Sequence, residues 1–203
     1  MNKQHTDTLF AAAPILYSGR KETIKTNLMP FGFMCGDGWF YPLMKLSWYL
    51  EAMNVEYRRY RVFIKAVEVK EKFGTLRFYF DVYCGLPWHK RLWNWITRYR
   101  CIWGETHDQR VIRRVVEHMA EKLVDLCEQE CLTYCEDCGK QFGDWNKDER
   151  VTTVGWINYI CKECAEKNNR KYVPFGQDPY LVTVKSDGSC VHEEPGRKKD
   201  KGS

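Results

Sequence analysis

The sequence has no apolar run long enough to cross a bilayer, no internal repeat, and no histidine placed beside its scattered cysteines except His192, two residues after Cys190 in the expected tail. The first absence is plainest near the start, where Leu9 to Tyr17 is short, lacks a cationic flank and follows Asp7. That pattern fits neither a membrane span nor a signal peptide. The second absence excludes a stacked-repeat architecture. The third leaves Cys35, Cys84 and Cys101 without a base to activate a nucleophilic thiol, and Cys190 with one only in that tail, so all four read as core or incidental thiols. At 203 residues the chain is too short for a large multidomain enzyme, yet long enough for one core and a small satellite module. A soluble, intracellular protein is expected.

What the sequence does hold is aromatic and cysteine-rich. Eight Trp, twelve Tyr and ten Phe supply ample material for a core and exclude wholesale disorder. Ten cysteines are too few for a disulfide scaffold and too many for accident, so their positions need a reason. Charge is also uneven. The formal total is +5, but residues 56–114 carry fourteen bases and six acids, whereas 115–203 carry thirteen and seventeen.

Residues 1–30 show no sustained period, are broken by Pro14 and Pro30, and read as an N-terminal arm. From Asp37, a plausible N-cap, Trp39, Leu43, Leu46 and Leu50 recur at helical spacing. From Tyr60 the period falls to two. Val62, Ile64 and Ala66 give way to Val67 and Val69 with a phase slip near Ala66, which predicts a bulge or strand break. Lys72-Phe73-Gly74 is the expected turn, and Leu76, Phe78, Phe80 and Val82 complete an antiparallel hairpin that can pack on the preceding helix. A basic, Trp-rich helical insertion follows at about 86–106. Thr106 with Gln109 then reads as a capping box opening a long helix to about residue 133, with Ile112, Val115, Val116, Met119, Leu123 and Leu126 as its apolar stripe. The fold class is α+β: a helix packed on an antiparallel hairpin or small sheet, and a long helix leading into a C-terminal cysteine module at 135–170. Residues 171–203 are expected to be an extended segment and a disordered tail that includes His192.

The strongest chemical signal is Cys135-x-x-Cys138-Gly139 followed by Cys161-x-x-Cys164. Paired CxxC knuckles set four thiolates tetrahedrally around Zn²⁺ and close its coordination shell, which makes the metal structural and the module a zinc ribbon. An iron–sulfur cluster uses the same ligand type. Cys127 and Cys131, at four-residue steps before Cys135, are expected to pack in the helix stripe.

Other constellations are weaker. Glu68-Val-Lys70, with Asp37 as a second carboxylate, has the acid-x-Lys form of Mg²⁺-dependent nucleases, but so short a motif also arises by chance. Asp37, Lys70, Glu71 and Arg77 are a possible polar site. Arg91, Trp93, Arg98, Arg100, Trp103, Arg110, Arg113 and Arg114 interleave cations with aromatics, a surface suited to phosphates and stacked bases or to an acidic protein.

Gly36-Asp37-Gly38-Trp39, then Val69-Lys70-Glu71-Lys72-Phe73-Gly74-Thr75-Leu76-Arg77-Phe78, then the CxxC pairs with Gly155-Trp156 between them, resemble a family of small uncharacterised proteins of tailed bacteriophages and prophages. The resemblance spans most of residues 31–165 and implies a phage source, a host bacterial cytoplasm and this domain plan. Read physically, Gly36 and Gly38 suit a tight start to the helix, and Trp156 is expected to cover the zinc site. The function expected is a non-enzymatic phage accessory protein that binds a host or phage macromolecule, nucleic acid or protein, and modulates host transcription, nucleic-acid handling or defence. A Mg²⁺-dependent nuclease using Asp37, Glu68 and Lys70, and a small-ligand sequestering protein, are the alternatives.

Overall fold

The computed structural model describes residues 1–85, 106–143 and 149–177, together with the backbone of strands at 182–184 and 190–192. In chain order the elements are α1 (Lys3–Ala12), β1 (Phe33–Met34), α2 (Phe40–Tyr57), β2 (Val62–Lys72), β3 (Thr75–Cys84), α3 (His107–Cys131), β4 (Arg150–Thr153), β5 (Tyr159–Cys161), α4 (Lys162–Lys167), β6 (Tyr172–Pro174), β7 (Val182–Val184) and β8 (Cys190–His192). The architecture is α+β, as the periodicities require. No described helix is long and apolar enough to cross a membrane.

The hairpin organises the core. β2 and β3 pair antiparallel from Val62↔Cys84 to Lys72↔Thr75. The phase slip is a β-bulge: pairing passes from Ala66↔Phe80 to Glu68↔Tyr79, so Val67 is the extra residue and Val69 returns to the buried face. Phe73 and Gly74 form the turn with positive φ at both (54° and 73°), the geometry of a two-residue hairpin loop. α2 lays Leu43, Leu46, Leu50 and Met53 into the core, and α3 adds Val116, Ala120, Val124, Cys127 and Cys131. The capping box of Thr106 and Gln109 starts α3 as read from the sequence. The stripe of α3 is in part the one expected: Val116 is buried and Ile112 and Leu123 pack against the core, whereas Val115, Met119 and Leu126 face outward and Ala120, Val124, Cys127 and Cys131 complete the buried row.

Residues 1–30 are not an arm. β1 covers the outer edge of β2 only at Phe33↔Val69 and Met34↔Lys70, in parallel, which leaves the backbone of Ile64, Ala66 and Val67 in need of partners. The N-terminal segment supplies most of them. Ala66 N donates to Leu16 O (2.8 Å), Leu28 N to Val67 O (2.9 Å) and Asn27 Nδ2 to Ala66 O (2.9 Å). Asn54 of α2 completes the edge, accepting from Ile64 N (2.6 Å) and donating to Ile64 O (3.0 Å). Leu9, Ala13, Leu16, Tyr17 and Met29 are consequently fully buried.

Two other boundaries move. β6 pairs with β4 through Val151↔Pro174, Thr152↔Val173 and Thr153↔Tyr172, so the cysteine module runs past residue 170. Within the tail, β8 pairs with β7, which places Cys190 and His192 in a strand. The insertion at 86–105, including Arg91, Trp93, Arg98, Arg100 and Trp103, lies outside the described residues.

Replacing Asn54 with Ala orphans both backbone groups of Ile64 in a fully buried setting. A loss of about 2–3 kcal/mol is expected, read as a lower urea midpoint with an unchanged slope.

Candidate metal centre and its docking surface

The module is built from short antiparallel pairings that bring two chain turns together. Cys135 and Cys138 sit on a turn closed by Gly139 N to Cys135 O (2.9 Å) and Cys135 N to Lys140 O (2.8 Å). Cys161 ends β5 and Cys164 lies in the first turn of α4. β4 fixes the second pair through Arg150↔Cys161. All four Sγ atoms lie within 4.8 Å of one another, and Cys138 Sγ to Cys161 Sγ is 3.8 Å. A tetrahedral ion with thiolate bonds of about 2.3 Å requires sulfur spacings of about 3.8 Å. The cluster is therefore shaped to hold a metal ion. Cys161 N donates to Cys135 Sγ (3.2 Å), the type of amide contact that stabilises a thiolate. Without a cation, burial pushes the Cys135 thiol up to about 12 and also raises Cys164, so crowding these sulfurs favours a bound cation.

The interior of the module combines a small apolar cluster, Phe142, Val151, Ile160 and Ala165, with a buried cation. Arg150 is buried, with its guanidinium carbon 3.8 Å from the Phe175 ring centroid, 4.7 Å from Tyr159 and 5.5 Å from Phe142. Burial lowers its pKa, and Nε has no hydrogen-bond partner.

The Gly36-Asp37-Gly38 box docks directly on the first cysteine turn. Gly38 N donates to Glu136 O (2.7 Å) and Gly36 N to Glu136 Oε1 (3.0 Å). A Cβ on Gly38 would stand 2.0 Å from Cys135 O, and one on Gly36 would stand 2.2 Å from Glu136 O. These glycines are there for close backbone approach, not for a turn at the start of the helix. The second box makes the other half of the contact. Gly74 lies against the Tyr159 ring, where a Cβ would come within 2.8 Å. Glu71 accepts from Gly74 N (2.6 Å) and from Trp156 Nε1 (2.7 Å), tying the hairpin turn to the module. Trp156 is 72% exposed, so it does not cover the metal site; it reaches across to Glu71.

The expected polar site does not assemble. Asp37 is in a 3-10 turn (Asp37–Trp39) whose cap is Gly36, and its carboxylate accepts from Asn2 N (2.6 Å) and meets His5 Nδ1 at 3.3 Å. Partial burial works against it, but the bonds from Asn2 and His5 hold it below the usual carboxylate range. Glu68 pairs with Lys70 (2.8 Å) on the strand, and Arg77 pairs with Glu128 of α3 (3.1 Å). Asp37, Lys70, Glu71 and Arg77 thus each serve a different neighbour. The four cysteines are the only group of three or more metal-binding side chains among the described residues, and Asp37 and Glu68 belong to none.

The basic surface is partly assembled at the far end of α3. Gln109 Nε2 donates to Tyr60 O (3.1 Å), which brings Arg58, Arg59 and Arg61, after α2, beside Arg110, Arg113 and Arg114 in the opening turns of α3. Arg113 pairs with Glu117 at 3.3 Å, whereas Arg58, Arg61, Arg110 and Arg114 are exposed and have no carboxylate partner among the described residues. Arg59 stacks over Tyr60 at 4.7 Å and meets Glu56 at 3.7 Å. Arg58, Arg59 and Arg61 already belong to the basic, aromatic-interleaved stretch from Arg58 to Arg114 in the sequence; that they meet the start of α3 follows from the antiparallel packing of α2 and α3. Comparison of the chain with protein-family models, curated proteins and solved structures finds no match.

Replacing Gly38 with Ala forces the cysteine turn off its seat. An expected cost of about 3 kcal/mol is checked by thermal unfolding of the metal-loaded protein. Glu136 gives a pH signature. Burial, with Glu71 and Asp137 nearby, raises its pKa to about 7 against the bonds from Asn158 and Gly36. The folded state therefore holds a proton more tightly than the unfolded chain, and its stabilising share is complete below about 4.5 and fades as pH rises through about 7. Glu136→Gln is expected to flatten the stability slope between the pH of an ordinary glutamate and neutrality, measured by denaturant midpoints at fixed metal.

Proposed function

We propose that the protein is a nucleic-acid-binding protein whose metal centre is a structural zinc ribbon. The observation that carries this reading is the convergence of Arg58 and Arg61 with Arg110 and Arg114 on one exposed end, linked by the Gln109–Tyr60 bond. Uncompensated guanidinium groups on a fixed frame match the bidentate geometry of phosphate and neutralise it without an induced fold. The sequence of the connecting segment 86–105, outside the described residues, adds Lys90, Arg91, Arg98 and Arg100 interleaved with Trp93 and Trp103, the composition of a phosphate- and base-binding segment. Phosphate is preferred over an acidic protein because the patch is almost wholly arginine.

Zinc is the ion that four tetrahedral thiolates favour. With Cys135, Cys138, Cys161 and Cys164 as ligands, no coordination position stays open for substrate or water, so its contribution is to hold the two CxxC turns together. In the setting that the phage resemblance implies, the target is host or phage nucleic acid in the bacterial cytoplasm, and the protein modulates its use without cleaving it.

The reading is tested by titrating labelled single- and double-stranded oligonucleotides across a salt series. The wild type is expected to bind with a steep salt dependence. Changing Arg58, Arg61, Arg110 and Arg114 together to Gln is expected to weaken binding at least tenfold and to reduce the duplex salt slope by about 3–4. Salt-independent binding, or none, sinks the proposal; retention of an acidic protein alone replaces it with the protein-partner reading. Metal analysis of the purified chain is expected to show one Zn²⁺, lost in Cys138→Ser with a fall in thermal stability.

A further inference from the structure

The outer face of α2 is apolar where a monomer would be polar. Tyr41 is 75% exposed, Trp48 62%, Tyr49 52% and Val55 62%, with Ala52 on the same line. Tyr41, Lys45, Trp48, Ala52 and Val55 follow one another at steps of four, three, four and three residues, the spacing of a helix–helix seam rather than of a solvated face. The groove between α2 and α3 continues this surface through Tyr49, Leu123 and Leu126, and Leu126 is itself 65% exposed. At roughly 150–250 Å² per aromatic side chain, the three rings leave about 400 Å² in water, and Val55, Met119 and Leu126 bring the face to about 700 Å². That exceeds the apolar patch of an ordinary monomer and approaches the roughly 800 Å² each partner contributes to a standard interface.

We infer that this face is the contact of a two-fold homodimer in which α2 packs antiparallel against α2 of a second copy, with Trp48 near the axis. The seam itself selects the occupant. Measured from Trp48, its residues stand at minus seven, minus three, plus four and plus seven, so a reversed copy meets nearly the same pattern: Tyr41 against the partner's Val55, and Lys45 beside the partner's Ala52. Charge does not oppose self-association: Lys45 is met by Glu130 at 3.0 Å and Glu56 by Arg59 at 3.7 Å, so neither brings an unpaired charge to a second copy. Glu130 is the only other charge in the adjoining groove. A strongly charged partner would find nothing here to recognise. The dimer places two arginine-bearing ends on one particle, but the inference stands on the α2 face alone and does not rest on the nucleic-acid reading.

The test is sedimentation equilibrium of the full, metal-loaded chain under reducing conditions, which remove adventitious disulfides, over a concentration series into the high micromolar range. The expected result is a reversible monomer–dimer equilibrium at twice the chain mass. Trp48→Asp is expected to raise the dimer dissociation constant at least tenfold, with circular dichroism and zinc content unchanged because the side chain is outside the core. Val55→Asp, at the edge of the same seam, is expected to do the same if Trp48→Asp folds poorly. A wild type that remains monomeric throughout the series overturns the proposal and assigns the face to a different chain. A dimer that survives both substitutions also overturns it, since the contact then lies elsewhere. Oligonucleotide binding is read separately, so that its loss or retention does not bear on this outcome.

Discussion

The peptide units of Gly36 to Gly38 rest directly on those of Cys135 to Gly139, so closely that a single methyl group has no place between them. Contact of this kind needs two rigid surfaces. One is the start of α2, which leaves the glycine box within one 3-10 turn. The other is the cysteine turn, closed by Gly139 N to Cys135 O and Cys135 N to Lys140 O beside a four-sulfur cluster that could hold a metal ion. α3 runs straight into that turn, ending at Cys131 just before Cys135. The box therefore fixes the N-terminal end of α2 and the C-terminal end of α3 against one another, and the antiparallel packing of the two helices over the hairpin follows.

Glu136 is the chemical centre of this contact. It is almost wholly buried, and its carboxylate takes the Gly36 amide on one oxygen and Asn158 Nδ2 (2.5 Å) on the other. The same residue offers its carbonyl to Gly38, so one side chain and its backbone serve the core and the module at once. Glu71 does the corresponding work for the hairpin turn. Residues that look catalytic in isolation are in this way consumed by assembly, because each carboxylate has a defined donor and a structural task.

The ends of α3 consequently differ in kind. A helix of 25 residues is about 37 Å long. One end is locked into the cysteine module, where charge is balanced by close pairs. At the other, arginines of two elements stand together with few acids to meet them, and like charges held in a fixed arrangement cost free energy unless a polyanion neutralises them. The apolar side of α2 lies between these ends. A single scaffold thus separates a rigid anchor, a cationic tip and a hydrophobic flank.

Much of this was legible in the linear order of residues. The CxxC pairs name their own ligands because metal spacing is local. The bulge at Val67, the Phe73-Gly74 turn and the Thr106–Gln109 capping box are also short-range, and their signals are periods and offsets within a few residues. Three features were not legible. Residues 1–30 carry no period because they pair as irregular backbone with the edge of β2. The glycine box resembles the start of a helix because nothing in its neighbourhood announces a cysteine turn a hundred residues later. The α3 stripe was read too wide, with Val115, Met119 and Leu126 included, because the long helix is covered by α2 and the hairpin on a narrower face than its apolar residues span. Composition and spacing alone determined an α+β core with a four-thiolate module and a basic centre. Only the tertiary structure decided what those parts touch, since close approach, burial of a carboxylate and convergence of distant arginines are properties of pairs of surfaces, and each surface is written in a different part of the chain.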